Sequence, residues 1–229
     1  MEPCLPPFDL RSAMEHLAAG DKKLAKAMEG CLEFRIRVDD MEGPYEVLMQ
    51  SIAYQSISGK AAATIFSRIK SLGSDGRAPT PEEMLRLRRP VLRKAGLSGA
   101  KIEAMKDLAR NAIAGVVPSL KEAEKMTDEE LVERLTRVRG IGAWTVEMFL
   151  IFRLGRPDVL PIHDLGVKKG WAVVYGKKYM PTPKDLLAFG ERWRPYRTVA
   201  SWYMWRACER AGNTALRKIG PAPVRKGRR

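Results

Sequence analysis

Two glycines one residue apart, Gly140-Ile141-Gly142, stand between two stretches of helical spacing, and they constrain this chain more than any other feature. Upstream, Thr127-Asp128-Glu129-Glu130 pairs a capping threonine with a glutamate three residues on, which is how many helices begin. Downstream, helical spacing resumes through Trp144, Met148 and Ile151. The pattern predicts a helix, a tight hairpin and a second helix. Glycine allows positive φ and close approach of another backbone. The N–H groups of the hairpin and of the following first turn can then face an anion, helped by the helix dipole. A packing corner with ordinary C-cap glycines would leave the same three residues, so their surroundings must decide.

The rest of the sequence is also punctuated for helices. Leu10, Met14 and Leu17 fall at helical spacing over Asp9 to Ala19, and Gly20 reads as a stop. Leu32, Phe34, Ile36 and Val38 alternate with charged residues at a strand period but have no partner strand, so they read as an extended connector. After Gly43-Pro44 comes a helical stripe, Tyr45, Leu48, Met49 and Ile52. A break follows at Tyr54 to Ile57, and Ser58 is placed to cap the next helix. Thr80-Pro81-Glu82-Glu83 starts a helix that Gly96 closes, and Gly99 to Ala114 forms another. A short extended piece, Asp158 to Ile162, leads to Asp164 and a helix reaching Tyr175. Thr182-Pro183 opens another, and Tyr196 to Ala211 is the last long one. The tail from Gly220, with four cations and two prolines, reads as disordered. The fold expected is all-α.

Charge and composition narrow the function. The 41 Lys+Arg exceed the 27 Asp+Glu by 14, and nucleic acid is the commonest counter-anion for so basic a chain. Cys4, Cys31 and Cys208 are scattered and fit a reducing compartment. With only His16 and His163, no spacing suits zinc, and no run of four cysteines suits an iron–sulfur cluster, so neither metal nor other cofactor is expected. No apolar run is long enough to span a membrane. Acids such as Asp39, Asp40 and Glu147 show no spacing that requires catalysis. The expectation is a soluble monomer without a membrane partner, cytoplasmic and nucleoid-associated or nuclear.

The residues around the hairpin carry a resemblance. Val138-Arg139-Gly140-Ile141-Gly142-Ala143-Trp144-Thr145 resembles the helix-hairpin-helix (HhH-GPD) DNA glycosylase superfamily, and Asp164 falls where that family's catalytic aspartate follows the hairpin. Tyr54-Gln55-Ser56-Ile57-Ser58-Gly59-Lys60-Ala61-Ala62, and Glu191 to Arg197 with the run to Trp205, resemble the 3-methyladenine-DNA glycosylase II branch. The similarity spans residues 44 to 210. It implies two helical lobes around a cleft holding the active site. Residues 45–154 would form a central lobe ending in the hairpin helices. Residues 155–219 would form the other, carrying Asp164, with residues 1–44 packed on it and 220–229 as a basic tail.

The resemblance also implies a reaction. The partner would be double-stranded DNA with a damaged base, flipped out and hydrolysed from its sugar in base excision repair. An alkylated purine is cationic and leaves readily, so the enzyme must chiefly stabilise positive charge on the sugar. Asp164 is the candidate for that role, although an aspartate opening a helix can equally be a cap. Where bifunctional relatives carry a nucleophilic lysine this chain has Trp144, which implies a monofunctional enzyme. Trp144, Met148 and Trp205 are candidates for the base pocket, Met148 standing where some relatives have an aromatic. Gln55, Ser56 and Ile57 would enter the gap in the DNA; Ser56 is smaller than the residue usual there, so Gln55 or Ile57 are alternatives. Lys60, Arg139, Gly140, Ile141 and Gly142 are candidates for contacting the strand, and Lys168, Lys169, Arg194 and Arg197 for phosphates. Two rival readings stay open: a DNA-binding module in which Asp164 only caps, and a family member excising uncharged lesions such as hypoxanthine.

Overall fold

The computed structural model describes residues 7–29, 34 and 43–221. Among these the regular elements are α-helices, two 3-10 turns (74–76 and 191–193) and one isolated bridge between Tyr179 and Gly220. The helices are α1 (Leu10–Gly20), α2 (Lys22–Glu29), α3 (Pro44–Tyr54), α4 (Gly59–Lys70), α5 (Pro81–Arg86), α6 (Arg89–Lys94) and α7 (Gly99–Ile113). They continue as α8 (Leu120–Ala123), α9 (Asp128–Leu135), α10 (Ala143–Phe152), α11 (Leu165–Val174), α12 (Pro183–Gly190) and α13 (Arg197–Arg217). Of the alternating stretch, Leu32, Ile36 and Val38 lie outside the described residues, as do the tail's cations. Phe34 is buried, its ring centroid 5.1 Å from that of Trp202. The chain divides into two compact units, residues 39–149 and residues 1–38 with 150–229, the division falling within α10.

In the first of these units, the capping signatures act as read. Thr80 and Thr127 close capping boxes with Glu83 and Glu130, and Ser119, which the sequence did not single out, closes a third with Glu122. Ser58 occupies the cap position of α4, but its side chain makes no cap hydrogen bond. One expected helix is two: the chain leaves helical geometry at Leu87 and Arg88, because Pro90 has no N–H for the Arg86 carbonyl four residues back and fits only in the first turn of a new helix. Lys106 Nζ reaches from α7 to donate to the carbonyls of Leu85 and Leu87, which the break leaves without intrahelical donors. The surrounding burial holds this ammonium's pKa below its ordinary value. The apolar faces of α3, α5 and α7 meet in a core that includes Leu48, Ile52, Met84, Ile102, Met105 and Leu108.

The second unit is organised around the pairing of α11 with α13. Gly170 sits at their crossing, where a Cβ would lie 1.8 Å from the Met204 carbonyl oxygen. One turn earlier a Cβ on Gly166 would lie 2.7 Å from Trp205 Cδ1. These two missing side chains let the helices come closer than any other residue would allow. At the far end of α11 is a buried carboxylate absent from the sequence reading, as was α2 itself. Asp21 caps α2 by accepting from the N–H groups of Lys23 and Leu24, both at 3.1 Å. Its other oxygen accepts from the Tyr175 hydroxyl at 2.5 Å and Trp193 Nε1 at 3.4 Å. Burial, then Asp21, raises the Tyr175 pKa. The last long helix runs past Ala211 to Arg217 across a kink at Gly212, φ 67°. Gly220, expected to begin a loose tail, donates to the Lys178 carbonyl at 2.9 Å.

Gly170→Ala tests the crossing. The methyl group has backbone on its path, so α11 and α13 must part. The expected cost is about 3 kcal/mol, the upper end of the overpacking range. For a chain of this size that lowers the melting temperature by about 6–12 °C. A thermal melt within 2 °C of the parent (roughly 0.5–1 kcal/mol) would contradict this crossing.

Candidate active site

The hairpin is docked on α7. Asp107 Oδ2 accepts the Arg139 N–H at 2.9 Å, and Ile141, buried, donates its N–H to the Val138 carbonyl at 3.0 Å. Gly140 has φ 83°, and a Cβ there would lie 3.2 Å from Ala104 Cβ. Gly142 differs from the sequence expectation. Gly140 alone of the pair has positive φ, and a Cβ on Gly142 would meet nothing within 4 Å. Gly142 and Ala143 are exposed, at the start of α10, where helix geometry leaves N–H groups without intrahelical acceptors. The Arg139 side chain is solvent-facing as well, and Lys60 is exposed on the first turn of α4.

The break between α3 and α4 is tied to this hairpin. Gln55 Nε2 donates to the Gly140 carbonyl at 2.8 Å, and Lys101 Nζ donates to the Ala53 carbonyl at 2.8 Å, holding the end of α3. Ser56 has φ 58°, in the left-handed region that a residue with a Cβ seldom adopts. Ile57 is 39% exposed, high for an isoleucine. Gln55 and Ser56 border a pocket of about 470 Å³ together with Tyr54, Trp144 and Met148. Trp144 is 46% exposed. That volume lies within the range of small-molecule sites.

Asp164 belongs to the other unit, and its surroundings are built from α11 and α13. It is the N-cap of α11: Oδ1 accepts the Val167 N–H at 2.8 Å. The same oxygen accepts Trp205 Nε1 at 2.8 Å. Trp205 thus presents its ring edge to Asp164 while one face stacks on Phe152, centroids 5.7 Å apart and planes 24° apart. The approach to Asp164 is fixed by the start of α13. Thr198, fully buried, donates to the Arg156 carbonyl at 2.6 Å and accepts the Val159 N–H at 3.0 Å. Arg197 holds the Asp158 carboxylate at 2.7 and 3.0 Å, and Arg194 joins at 2.6 Å. Both arginines were phosphate candidates in the sequence; here they clamp an aspartate, and the Arg197 side chain is only 12% exposed. Lys168 and Lys169 are half-buried on α11, and His163 is exposed.

The sequence profile of the HhH-GPD superfamily base excision DNA repair proteins matches residues 49–195, a span containing the hairpin, the Gln55 loop and Asp164. The chain belongs to this family. A DNA-3-methyladenine glycosylase 1 of Schizosaccharomyces pombe is 38% identical over 206 residues, 90% of either chain. Among solved structures, the Schizosaccharomyces pombe 3-methyladenine DNA glycosylase in complex with abasic DNA superposes with a TM-score of 0.74 at 39% identity, covering 85% of this chain and 95% of that one. A DNA-3-methyladenine glycosidase of Bacillus halodurans gives 0.79 at 32% identity, covering 93% and 97%. The HhH-GPD fold is thereby shown over most of the chain.

The two hairpin glycines should separate stability from binding. Gly140→Ala places a Cβ in the left-handed region and should cost about 1–2 kcal/mol of stability. Gly142→Ala should melt within about 0.5 kcal/mol of the parent yet weaken affinity for duplex DNA, since its methyl group occupies the exposed approach to α10. Paired melting and duplex-binding curves check both, and unchanged affinity in Gly142→Ala would remove that glycine from the interface.

Proposed function

We propose that this protein is a monofunctional DNA glycosylase that excises alkylated purines of the 3-methyladenine and 7-methylguanine type. The observation that carries the reading is the Asp164 carboxylate, fixed by a backbone N–H and an indole N–H on one oxygen at the head of α11. The names of its relatives, DNA-3-methyladenine glycosylases, support the substrate class. Double-stranded DNA carrying the lesion is the partner. The hairpin grips its backbone through Gly140, Ile141 and Gly142 with Arg139 and Lys60, contacts that carry no sequence information and suit a protein that must search any DNA. The exposed loop of Ser56 and Ile57 enters the stack, while Gln55 anchors it.

The chemistry follows from the charges. In an alkylated purine the ring already bears a positive charge, so breaking the bond from sugar C1′ to the ring nitrogen returns the electron pair to the base, which leaves neutral. Positive charge grows on the sugar, and the Asp164 carboxylate offsets it. Water then bonds to C1′ through its oxygen and gives up a proton, which the same carboxylate can accept. Trp144 and Met148 line the base pocket, the indole face of Trp144 attracting a cationic ring. With Trp144 at the position of the bifunctional relatives' lysine, no Schiff base forms and an abasic site is left. Trp205 contributes through its Nε1–H as much as through its ring, holding the carboxylate in one orientation.

Asp164→Asn keeps an acceptor for Val167 and Trp205, so the melting curve should barely move. Losing the charge should slow single-turnover release of a methylated purine by on the order of 10² to 10³. Near-parental release would reduce Asp164 to a helix cap and move the catalytic role to another residue, whereas a parent protein that binds duplex DNA but releases no base would favour the binding-module reading. Trp205→Phe retains a ring against Phe152 and deletes one hydrogen bond to a charged group, worth about 1.5–3 kcal/mol. Release should therefore slow by about 10- to 100-fold with duplex affinity intact; an unchanged rate would confine Trp205 to stacking.

A further inference from the structure

At the end of α11 away from Asp164, four cations from three elements converge on one hollow. It has a volume of about 350 Å³ and is rimmed by Lys22 and Lys23 from the start of α2, Lys177 beyond α11, and Arg192 beyond α12. Tyr175 and Phe189 form its wall. The Arg192 guanidinium lies 3.9 Å over the Phe189 ring, and its Nε donates to the Phe189 carbonyl at 3.2 Å, which fixes the head group in place. The hollow's one carboxylate, Asp21, is 7% exposed and occupied by Tyr175, Trp193 and two backbone N–H groups. Among the described residues no acid forms an ion pair with Lys22, Lys23, Lys177 or Arg192.

Four cations beside a single buried carboxylate leave an excess of positive charge, and like charges repel at roughly 1 kcal/mol per pair at 4 Å in water and less with distance and salt. An anion rich in acceptor oxygens would relieve that repulsion. A planar guanidinium beside flexible ammonium groups matches a phosphate group best, because the fork meets two oxygens while the lysines neutralise the rest. The hollow is not part of the Asp164 site. Eleven residue steps of 1.5 Å along α11 separate Asp164 from Tyr175, about 16 Å.

We propose that this hollow is a second phosphate site, taking the backbone phosphates of DNA at a distance from the lesion. It rests on the reading of the chain as a DNA glycosylase. The test compares the parent with Lys22→Gln/Lys177→Gln/Arg192→Gln, and with Lys22→Gln/Lys177→Gln, which leaves the Arg192–Phe189 stack untouched and guards against misfolding. Affinity for a long undamaged duplex is measured across a salt series, with single-turnover excision from a methylated duplex at saturating enzyme. The slope of log affinity against log salt should shrink by about 0.9 for each phosphate that the variant no longer neutralises, while the excision rate stays at the parental value. A slope unchanged in both variants overturns the proposal. In parallel, inorganic phosphate and adenosine monophosphate are titrated against backbone amide resonances of Asp21 to Lys23 and Lys177. Saturable shifts from these small ligands with no change in the DNA slope would reassign the hollow to a free phosphorylated compound and also overturn the DNA assignment. A parent protein that neither binds nor excises would instead remove the enzymatic reading on which this site depends.

Discussion

The close crossing of α11 and α13 at Gly170 sets the geometry of everything around Asp164. Had α11 carried a side chain there, the Met204 carbonyl would block the approach. Trp205, one residue further along α13, would then sit too far from the head of α11 to donate to Asp164. The same helix start that reads as a routine cap therefore becomes a carboxylate with two fixed donors on one oxygen. Arg197 and Thr198 extend the arrangement backwards along the chain, holding Asp158 and Val159 ahead of the turn into Asp164. Apart from the Val167 N–H, each of these contacts originates on α13.

What was legible in the sequence was local. Thr80 and Thr127 announce their helices because a capping box is complete within four residues, and the structure closes both. Gly140 at positive φ was equally readable, since a tight turn between two helices leaves few other solutions. Asp164 opening a helix was visible for the same reason. The contacts that hold the second unit together span far more chain. Tyr175 meets Asp21 across 154 positions, Trp205 meets Asp164 across 41, and Arg197 meets Asp158 across 39. No periodicity reports on such pairs.

Two of the missed features nevertheless left a trace. Gly166 and Gly170 are four apart on one helix, a spacing that puts both on the same face and marks a surface cleared for a neighbour. Arg194 and Arg197 misled because the property that suits arginine to phosphate, a planar fork of donors, suits it equally to carboxylate. Only the position of Asp158 decides between them. Gly142 misled in the other direction: it shares the hairpin with Gly140, yet it needs no unusual backbone angle and nothing lies within 4 Å of where its Cβ would be.

The tether between Gln55 and the Gly140 carbonyl has a consequence for the entropy of binding. A loose interhelical loop that became ordered only against a ligand would lose about 1–2 kcal/mol of backbone freedom per residue at every encounter. Here that freedom is surrendered once, on folding, because the loop's first residue is bonded to a hairpin itself docked on α7. A protein that samples a long succession of nearly equivalent positions benefits at each of them, since rigidity secured beforehand is not subtracted from the affinity of any single contact.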